Sequence, residues 1–290
     1  MTDRVGYVGL GTIGSRLVTV ALGSGHQLTV YDARSDRCES LARRGAHVVD
    51  SPRQVAERAD IVGVAVGTEE QLREVVLGDM GILAGAKAGT VLLIHTAVPH
   101  ATVLQIGELA RQMGVGVLDA QIGGTVEASD PAALRLFMGG EKALVDRCLP
   151  ILAPVSHPEM RAFHLGPLGS GTVMALAEQA IFLVGRAGAY EGMRIAEQAG
   201  CDLPAVIRAL HVSNGQSYVT DQWLDRFRDT QPAPRREFAQ ALAALGPALE
   251  LGRKTGVPLP ALALVQQLFA LEPEDRMTNN PIRSTFPHKL

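Results

Sequence analysis

The stretch Val5-Gly-Tyr-Val-Gly-Leu-Gly-Thr-Ile-Gly14 decides the fold, read together with Gln27-Leu-Thr-Val-Tyr-Asp32. It starts as a short apolar run, as a buried strand does. Gly9, Gly11 and Gly14 then fall in the pattern GxGxxG, and 14–22 has helical periodicity that stops at Gly23 and Gly25. Glycines so spaced permit a tight turn, backbone approach to a pyrophosphate and close helix–strand packing. The phosphates would rest on the amides of Thr12 and Ile13, at the positive end of the helix. Asp32 closes the next strand, where a carboxylate can bond both ribose hydroxyls and repel a 2′-phosphate. Arg34 and Arg37 act the other way, since either could pair with that phosphate. The stretch therefore predicts a dinucleotide site with NAD preferred over NADP.

Working outward, short apolar runs at 46–49, 61–66, 90–94, 116–118 and 134–138 alternate with helical patterns at 36–44, 102–113 and 141–151. Ser51-Pro52 places a cap and a proline at another helix start. Such alternation predicts an α/β fold with a parallel sheet covered on both faces. Val66, Thr68 and Thr96 lie just past strand ends and are expected to line the cofactor cleft.

From about Gly169 only helical patterns remain. The segment 173–200 is apolar nearly all round, which predicts a helix buried on most sides. At 1.5 Å per residue it spans about 45 Å, enough to bridge two domains or two subunits. Further helices are expected at 203–210, 217–228, 237–255 and 260–271. The predicted division is a dinucleotide-binding domain at 1–164 and an all-helical substrate and dimerisation domain at 165–290, joined by the long helix. Residues 276–290 read as a loose tail.

Composition narrows the function. The 290 residues carry 27 Lys+Arg against 30 Asp+Glu, and only Lys87, Lys142, Lys254 and Lys289 are lysine. A slightly acidic chain with no basic block argues against a nucleic-acid partner. No signal-peptide layout or long apolar run near the N-terminus suggests a membrane, so a cytoplasmic protein is expected. Cys38, Cys148 and Cys201 are far apart and suggest no disulfide framework. The histidines show no ligand spacing, so no metal is expected.

Several motifs now resemble the β-hydroxyacid dehydrogenase family, which includes 3-hydroxyisobutyrate dehydrogenase. Beyond the opening glycines, Leu118-Asp-Ala-Gln-Ile-Gly-Gly124 is similar to its substrate loop D-A-P-V-S-G-G. Met138-Gly-Gly140 resembles its V-G-G strand end. Gly166-Pro-Leu-Gly-Ser-Gly171 resembles the G-P-x-G-x-G that opens its interdomain helix, and Gly256-Val-Pro-Leu-Pro260 a late helix start. The resemblance covers almost the whole chain. It implies a Rossmann domain followed by an all-helical domain, NAD(P)-dependent oxidoreduction of a small molecule, and assembly as a homodimer or homotetramer through the helical half.

The catalytic positions depart from that pattern. The family's substrate-loop serine aligns with Gly123. Its K-x-x-N-N, with lysine as proton donor, reads here Ala175-Leu-Ala-Glu178-Gln179. Its second lysine aligns with Ala243, and the serine after the fifth strand with His95. Loss of a general acid commonly costs about 10²–10⁴ in rate, so an unmodified hydroxyacid mechanism is not expected.

Glu178, Gln179 and His95 are the candidate catalytic groups instead. Glu178 and Gln179 break an apolar helix and share a face with Ala175 and Phe182. A desolvated carboxylate has a raised pKa and can act as an acid or face a cation. His95 lies beyond a strand's carboxyl end, where open α/β sheets bind ligands. Gly123, Gly124, Thr125, Ala175, Tyr218 and Trp223 are the candidate substrate-pocket residues. A structural role, such as an ion pair of Glu178 with Arg186 or core packing of Trp223, stands beside each.

Three functions remain open. The first is an NAD(P)-dependent oxidoreductase acting on a bulky ketone, alcohol or imine. Imine reductases resemble this family and also lack the lysine. The second is a lyase or isomerase that retains NAD without net redox change. The third is a catalytically silent nucleotide-binding protein.

Overall fold

The computed structural model describes residues 3–123, 135–152, 162–221 and 235–271. The chain divides into two units, Met1–Ala175 and Leu176–Leu290.

The first unit runs β1 (Val5–Val8), α1 (Thr12–Gly23), β2 (Leu28–Tyr31), α2 (Ser35–Ala42), β3 (His47–Val48), α3 (Pro52–Arg58), β4 (Ile61–Val64), α4 (Glu69–Leu77) and α5 (Ile82–Gly85). It continues with β5 (Val91–Ile94), α6 (His100–Gln112), β6 (Gly116–Gly123), β7 (Arg135–Gly139), α7 (Lys142–Leu152) and β8 (Ala162–His164). The sheet order is β3-β2-β1-β4-β5-β6-β7-β8. The chain leaves β1 in one direction and returns at β4 in the other. This reversal opens a crevice above the carboxyl ends of β1 and β4, the usual ligand position in such sheets.

Alternating residues feed two cores, one on each face. Tyr7, Val30, Ile61, Val91, Leu93 and Leu118 pack on one side. Val8, Val62, Val64, Leu92, Ile94 and Val117 pack on the other. A central strand buried on both faces must be apolar throughout, which is why these runs lack a polar alternation. Ser51 caps α3 through its hydroxyl, which accepts the Gln54 N–H at 3.3 Å, and Pro52 stands at the helix start, as the sequence predicts.

Two features depart from the expected pattern. β6 runs on to Gly123 rather than ending at Leu118, and β7 pairs with it antiparallel from Asp119↔Gly139 to Gly123↔Arg135. The family-like 118–124 stretch is thus largely strand. β8 adds a short edge strand parallel to β7, in a stretch without a strong apolar run.

The long helix α8 (Ser170–Gln198) begins in the first unit and continues through the second. There it is joined by α9 (Leu203–Leu210), α10 (Arg235–Thr255) and α11 (Pro260–Leu271). Leu176 and Leu183 of α8 share a core with Leu245, Ala248, Leu262 and Val265. Met193 shares a second core with Leu203, Ile207 and Val219. Burial on most sides is not what α8 shows: Ile181 and Ile195 are each more than 70% exposed in the single chain.

Candidate active site

The glycine turn between β1 and α1 brings Gly9, Gly11, Thr12, Ile13 and Gly14 together. Gly9 has φ +89°, a conformation that favours glycine, and a Cβ there would lie 2.5 Å from the Ala65 carbonyl oxygen. A Cβ on Gly14 would lie 1.9 Å from the Gly9 oxygen. Gly11 differs: among the described residues, its chain neighbours aside, its Cβ would meet nothing closer than an Arg37 guanidinium nitrogen at 3.9 Å. So Gly9 and Gly14 are demanded by packing, whereas Gly11 leaves open space over the helix start. Gly11 is also the N-cap of α1 and offers no side-chain cap. A helix start favours an anion in front of it, because the helix dipole is positive at that end. These residues fit a dinucleotide pyrophosphate.

Asp32 sits at the end of β2 with its side chain 6% exposed. Its Oδ2 accepts the Leu10 N–H at 2.6 Å, and its Oδ1 accepts the Arg34 N–H at 2.9 Å. The Arg37 guanidinium lies 3.4 Å from Oδ2. The carboxylate therefore ties β2 to the glycine turn. The Arg34 guanidinium pairs with Asp36 at 2.8 Å, both well exposed.

Three further residues expected at the cofactor also hold loops. The Thr96 hydroxyl accepts the Val66 N–H at 3.0 Å, joining the ends of β4 and β5. The Thr68 hydroxyl accepts the Gln71 N–H and caps α4. Sequence reasoning passed over Gln121, whose buried amide donates to the carbonyls of Ile94 and Thr96 at 3.4 and 3.2 Å. The available signal was a lone polar side chain in the strand after Ala120.

His95 is 7% exposed and lies 6.0 Å, centroid to centroid, from the stacked Tyr7 ring. Its Nδ1 is 2.7 Å from the Ala120 oxygen. A carbonyl only accepts, so Nδ1 carries the proton. Nε2 is buried and has no hydrogen-bond partner among the described residues. Burial pushes the ring's pKa down to about 4, outweighing the Ala120 bond. His95 is thus a neutral imidazole at pH 7, an acceptor at Nε2 rather than a store of protons.

The sign of its effect on stability follows. The unfolded ring binds a proton below about pH 6.5, the folded ring only near pH 4. Between these values the unfolded state binds more protons, so stability falls as the pH falls. About 3 kcal/mol is expected to be lost between pH 7 and pH 4 from this group. Urea unfolding of the wild type and His95→Asn over that range checks it. The variant should show a flatter decline, and parallel curves would refute it.

Asp119, fully buried on β6, is the other residue that sequence reasoning missed. Its Oδ1 accepts the Gly169 N–H at 2.7 Å and its Oδ2 accepts the Thr172 N–H at 2.6 Å. It caps α8 from 50 residues upstream. No local sequence rule pairs a strand acid with a helix start that far away.

Gly123 is buried at the end of β6. Ala175 is the last residue of the first unit and half-buried. Glu178 and Gln179 are half-buried on α8 in the second unit. Tyr218, 52% exposed, contacts Phe182 with ring centroids 6.2 Å apart. Phe182 lies one turn beyond Glu178. Gly124, Thr125 and Trp223 lie outside the described residues. Among the described residues, no group of three or more His, Cys, Asp or Glu could hold a metal ion.

Fold and glycine turn together define a two-unit dinucleotide-binding protein. Residues 4–166 match the NAD-binding domain model of 6-phosphogluconate dehydrogenase, and residues 169–278 match the NAD-binding model of NADP-dependent 3-hydroxyisobutyrate dehydrogenase. An uncharacterised oxidoreductase of Mycobacterium tuberculosis is 31% identical over 279 residues, covering 93% of this chain and 92% of that protein. A solved Mycobacterium tuberculosis 3-hydroxyisobutyrate dehydrogenase with L-serine superposes with TM-score 0.86 at 21% identity, covering 96% of each chain. An imine reductase variant from Myxococcus stipitatus with NAD⁺ gives 0.67 at 22% identity, covering 93% of each chain.

The chain belongs to the 3-hydroxyisobutyrate dehydrogenase-like family and is an NAD(P)-dependent oxidoreductase. No described helix is long and apolar enough to cross a membrane.

Proposed function

We propose that the protein reduces a bulky ketone or a cyclic imine, or oxidises the matching alcohol or amine, without the family lysine. The observation that carries this reading is Ala175. The glycine turn is complete, yet the position aligned with the family's proton donor holds a methyl group. NAD(P)H, when bound, would supply a hydride from its nicotinamide. The chain's own side chains must then bind the acceptor and manage its charge.

In this proposal Glu178 takes that role, with Gln179 as its polar neighbour. An ammonium would repel an iminium, whereas a carboxylate stabilises it. Ala175 and Gly123, both in the first unit, carry no more than a methyl group and suit a larger substrate; Gly124, Thr125, Tyr218 and Trp223 are the further substrate-binding candidates of the sequence. His95 serves as a neutral acceptor and positioning group.

The test is NAD(P)H oxidation with 2-methyl-1-pyrroline and cyclohexanone against NAD⁺ reduction with 3-hydroxyisobutyrate. Turnover is expected with the first two and little with the third. Glu178→Ala should lower kcat/KM for the imine by about 10²-fold or more. Fast 3-hydroxyisobutyrate oxidation, unchanged in Glu178→Ala, would sink the reading.

NAD is the preferred cofactor in this reading, because Asp32 is fixed at the end of β2 by two backbone amides. Arg37 partly offsets that carboxylate and keeps its side chain 38% exposed. Arg37→Ala is expected to weaken NADP⁺ binding about tenfold, roughly one charged contact, and to leave NAD⁺ nearly unchanged. Calorimetric titration of both cofactors reads this, and an equal loss for the two would contradict it. A homodimer or homotetramer covering the α8 face that carries Ile181 and Ile195, and a cytoplasmic location, complete the proposal.

A further inference from the structure

One polar atom of the first unit has no assigned task, the Nε2 of His95. The ring gives its Nδ1 proton to the Ala120 carbonyl at 2.7 Å, so the free lone pair lies on Nε2. Nε2 is buried and meets no hydrogen-bond partner among the described residues. A buried acceptor left without a donor is uncommon in folded proteins and marks a place that water or a ligand completes. The acceptors around it are engaged. The Ile94 and Thr96 carbonyls accept the Gln121 amide, and the Thr96 hydroxyl accepts the Val66 N–H. The Val64 carbonyl accepts the His95 N–H at 2.9 Å.

Strand register places this atom beside the glycine turn. Val8, Val64, Ile94 and Asp119 stand side by side in β1, β4, β5 and β6. The next row, at the carboxyl edge, is therefore Gly9, Ala65, His95 and Ala120. Gly9 begins the turn, and a Cβ on Gly14 would lie 3.5 Å from the Ala65 Cβ. The start of α1 thus covers Ala65, and His95 is the next residue across the sheet. Its ring stacks on Tyr7, on the face that α1 packs against. Ala65 and Val66 beside it are partly exposed. In a sheet of this strand order a dinucleotide lies across the crevice, with one nucleotide on each side of the switch point. Asp32 on the β2 side suits the adenosine ribose, so His95, on the β4 and β5 side, belongs to the nicotinamide half. Ribose hydroxyls both donate and accept, whereas the amino group of the nicotinamide carboxamide only donates and needs an acceptor.

We infer that His95 is a cofactor-binding residue whose Nε2 accepts an N–H of the nicotinamide carboxamide. The inference rests on the reading of His95 as a neutral acceptor and is independent of which carbonyl or imine is reduced.

A binding comparison tests this without turnover. Wild-type protein is titrated calorimetrically with NAD⁺, with the thionicotinamide analogue, which keeps the amino group, and with the 3-acetylpyridine analogue, in which a methyl group replaces it. The first two should bind alike and the third about tenfold more weakly, roughly one hydrogen bond. In His95→Phe the affinity for NAD⁺ should fall to that of the acetylpyridine analogue, whose own affinity should hardly change. His95→Gln, which keeps an acceptor oxygen, should recover part of the difference. Nitrogen-15 spectra of the free protein should show an unprotonated Nε2 on His95, and its resonance should shift with NAD⁺ far more than with the acetylpyridine analogue. Equal wild-type affinities for NAD⁺ and the acetylpyridine analogue, or a difference that survives in His95→Phe, overturn the inference. If His95→Phe fails to fold, the wild-type comparison and the Nε2 shift decide. An unprotonated Nε2 that ignores NAD⁺ overturns this inference alone, whereas a protonated Nε2 in the free protein overturns the neutral-acceptor reading with it.

Discussion

Gly11→Val is expected to leave the fold intact and to weaken NAD(P)H binding by more than about 100-fold. The fold should survive because, among the described residues outside its chain neighbours, a Cβ at Gly11 meets no atom closer than 3.9 Å. Binding should fail because the new side chain fills the space over the first-turn amides. Charged hydrogen bonds contribute about 1.5–3 kcal/mol each, and losing two passes a hundredfold in affinity. Gly14→Ala makes the contrast, since its Cβ would lie 1.9 Å from a backbone oxygen and should disrupt folding itself. Fluorescence titration with NADH and a thermal melt separate the two. Normal NADH affinity in Gly11→Val would move the pyrophosphate elsewhere.

Asp119→Ala should be strongly destabilising, at about 4 kcal/mol. The carboxylate is fully buried and holds the Gly169 and Thr172 amides. Removing it leaves two donors unpaired, at about 1–3 kcal/mol each, and uncaps the start of α8. Asp119→Asn, which retains one acceptor oxygen, should lose roughly half as much. Urea unfolding measures both. A loss below 1 kcal/mol in the alanine variant would mean that α8 is anchored by other contacts. Because Ala175 and Glu178 follow on the same helix, a loosened start should also lower turnover.

The sequence was most legible where one local rule sufficed. Glycine spacing and the Ser51-Pro52 cap each act within a few residues, and each is found where expected; Asp32 ends its strand as expected, although it bonds the Leu10 amide 22 residues away. Legibility failed where partners are distant in the chain. The extent of β6 is set by its antiparallel pairing with β7, and nothing in 119–123 alone announces a strand rather than a loop. Asp119 and Gln121 read as members of a motif, yet their side chains bond atoms 25–53 residues away. His95 shows the limit for chemistry. Its position past β5 was plain, but its neutral state depends on burial beside Tyr7 and on the Ala120 carbonyl.

The central claim is that this chain transfers a hydride without the family lysine, and isotope transfer tests it most directly. NADH deuterated at the transferring C4 position would be incubated with wild-type protein and 2-methyl-1-pyrroline. The account predicts an amine product carrying one deuterium on the former imine carbon, formed as the absorbance at about 340 nm falls. No amine product, or one without deuterium while the NADH stays intact, would contradict it.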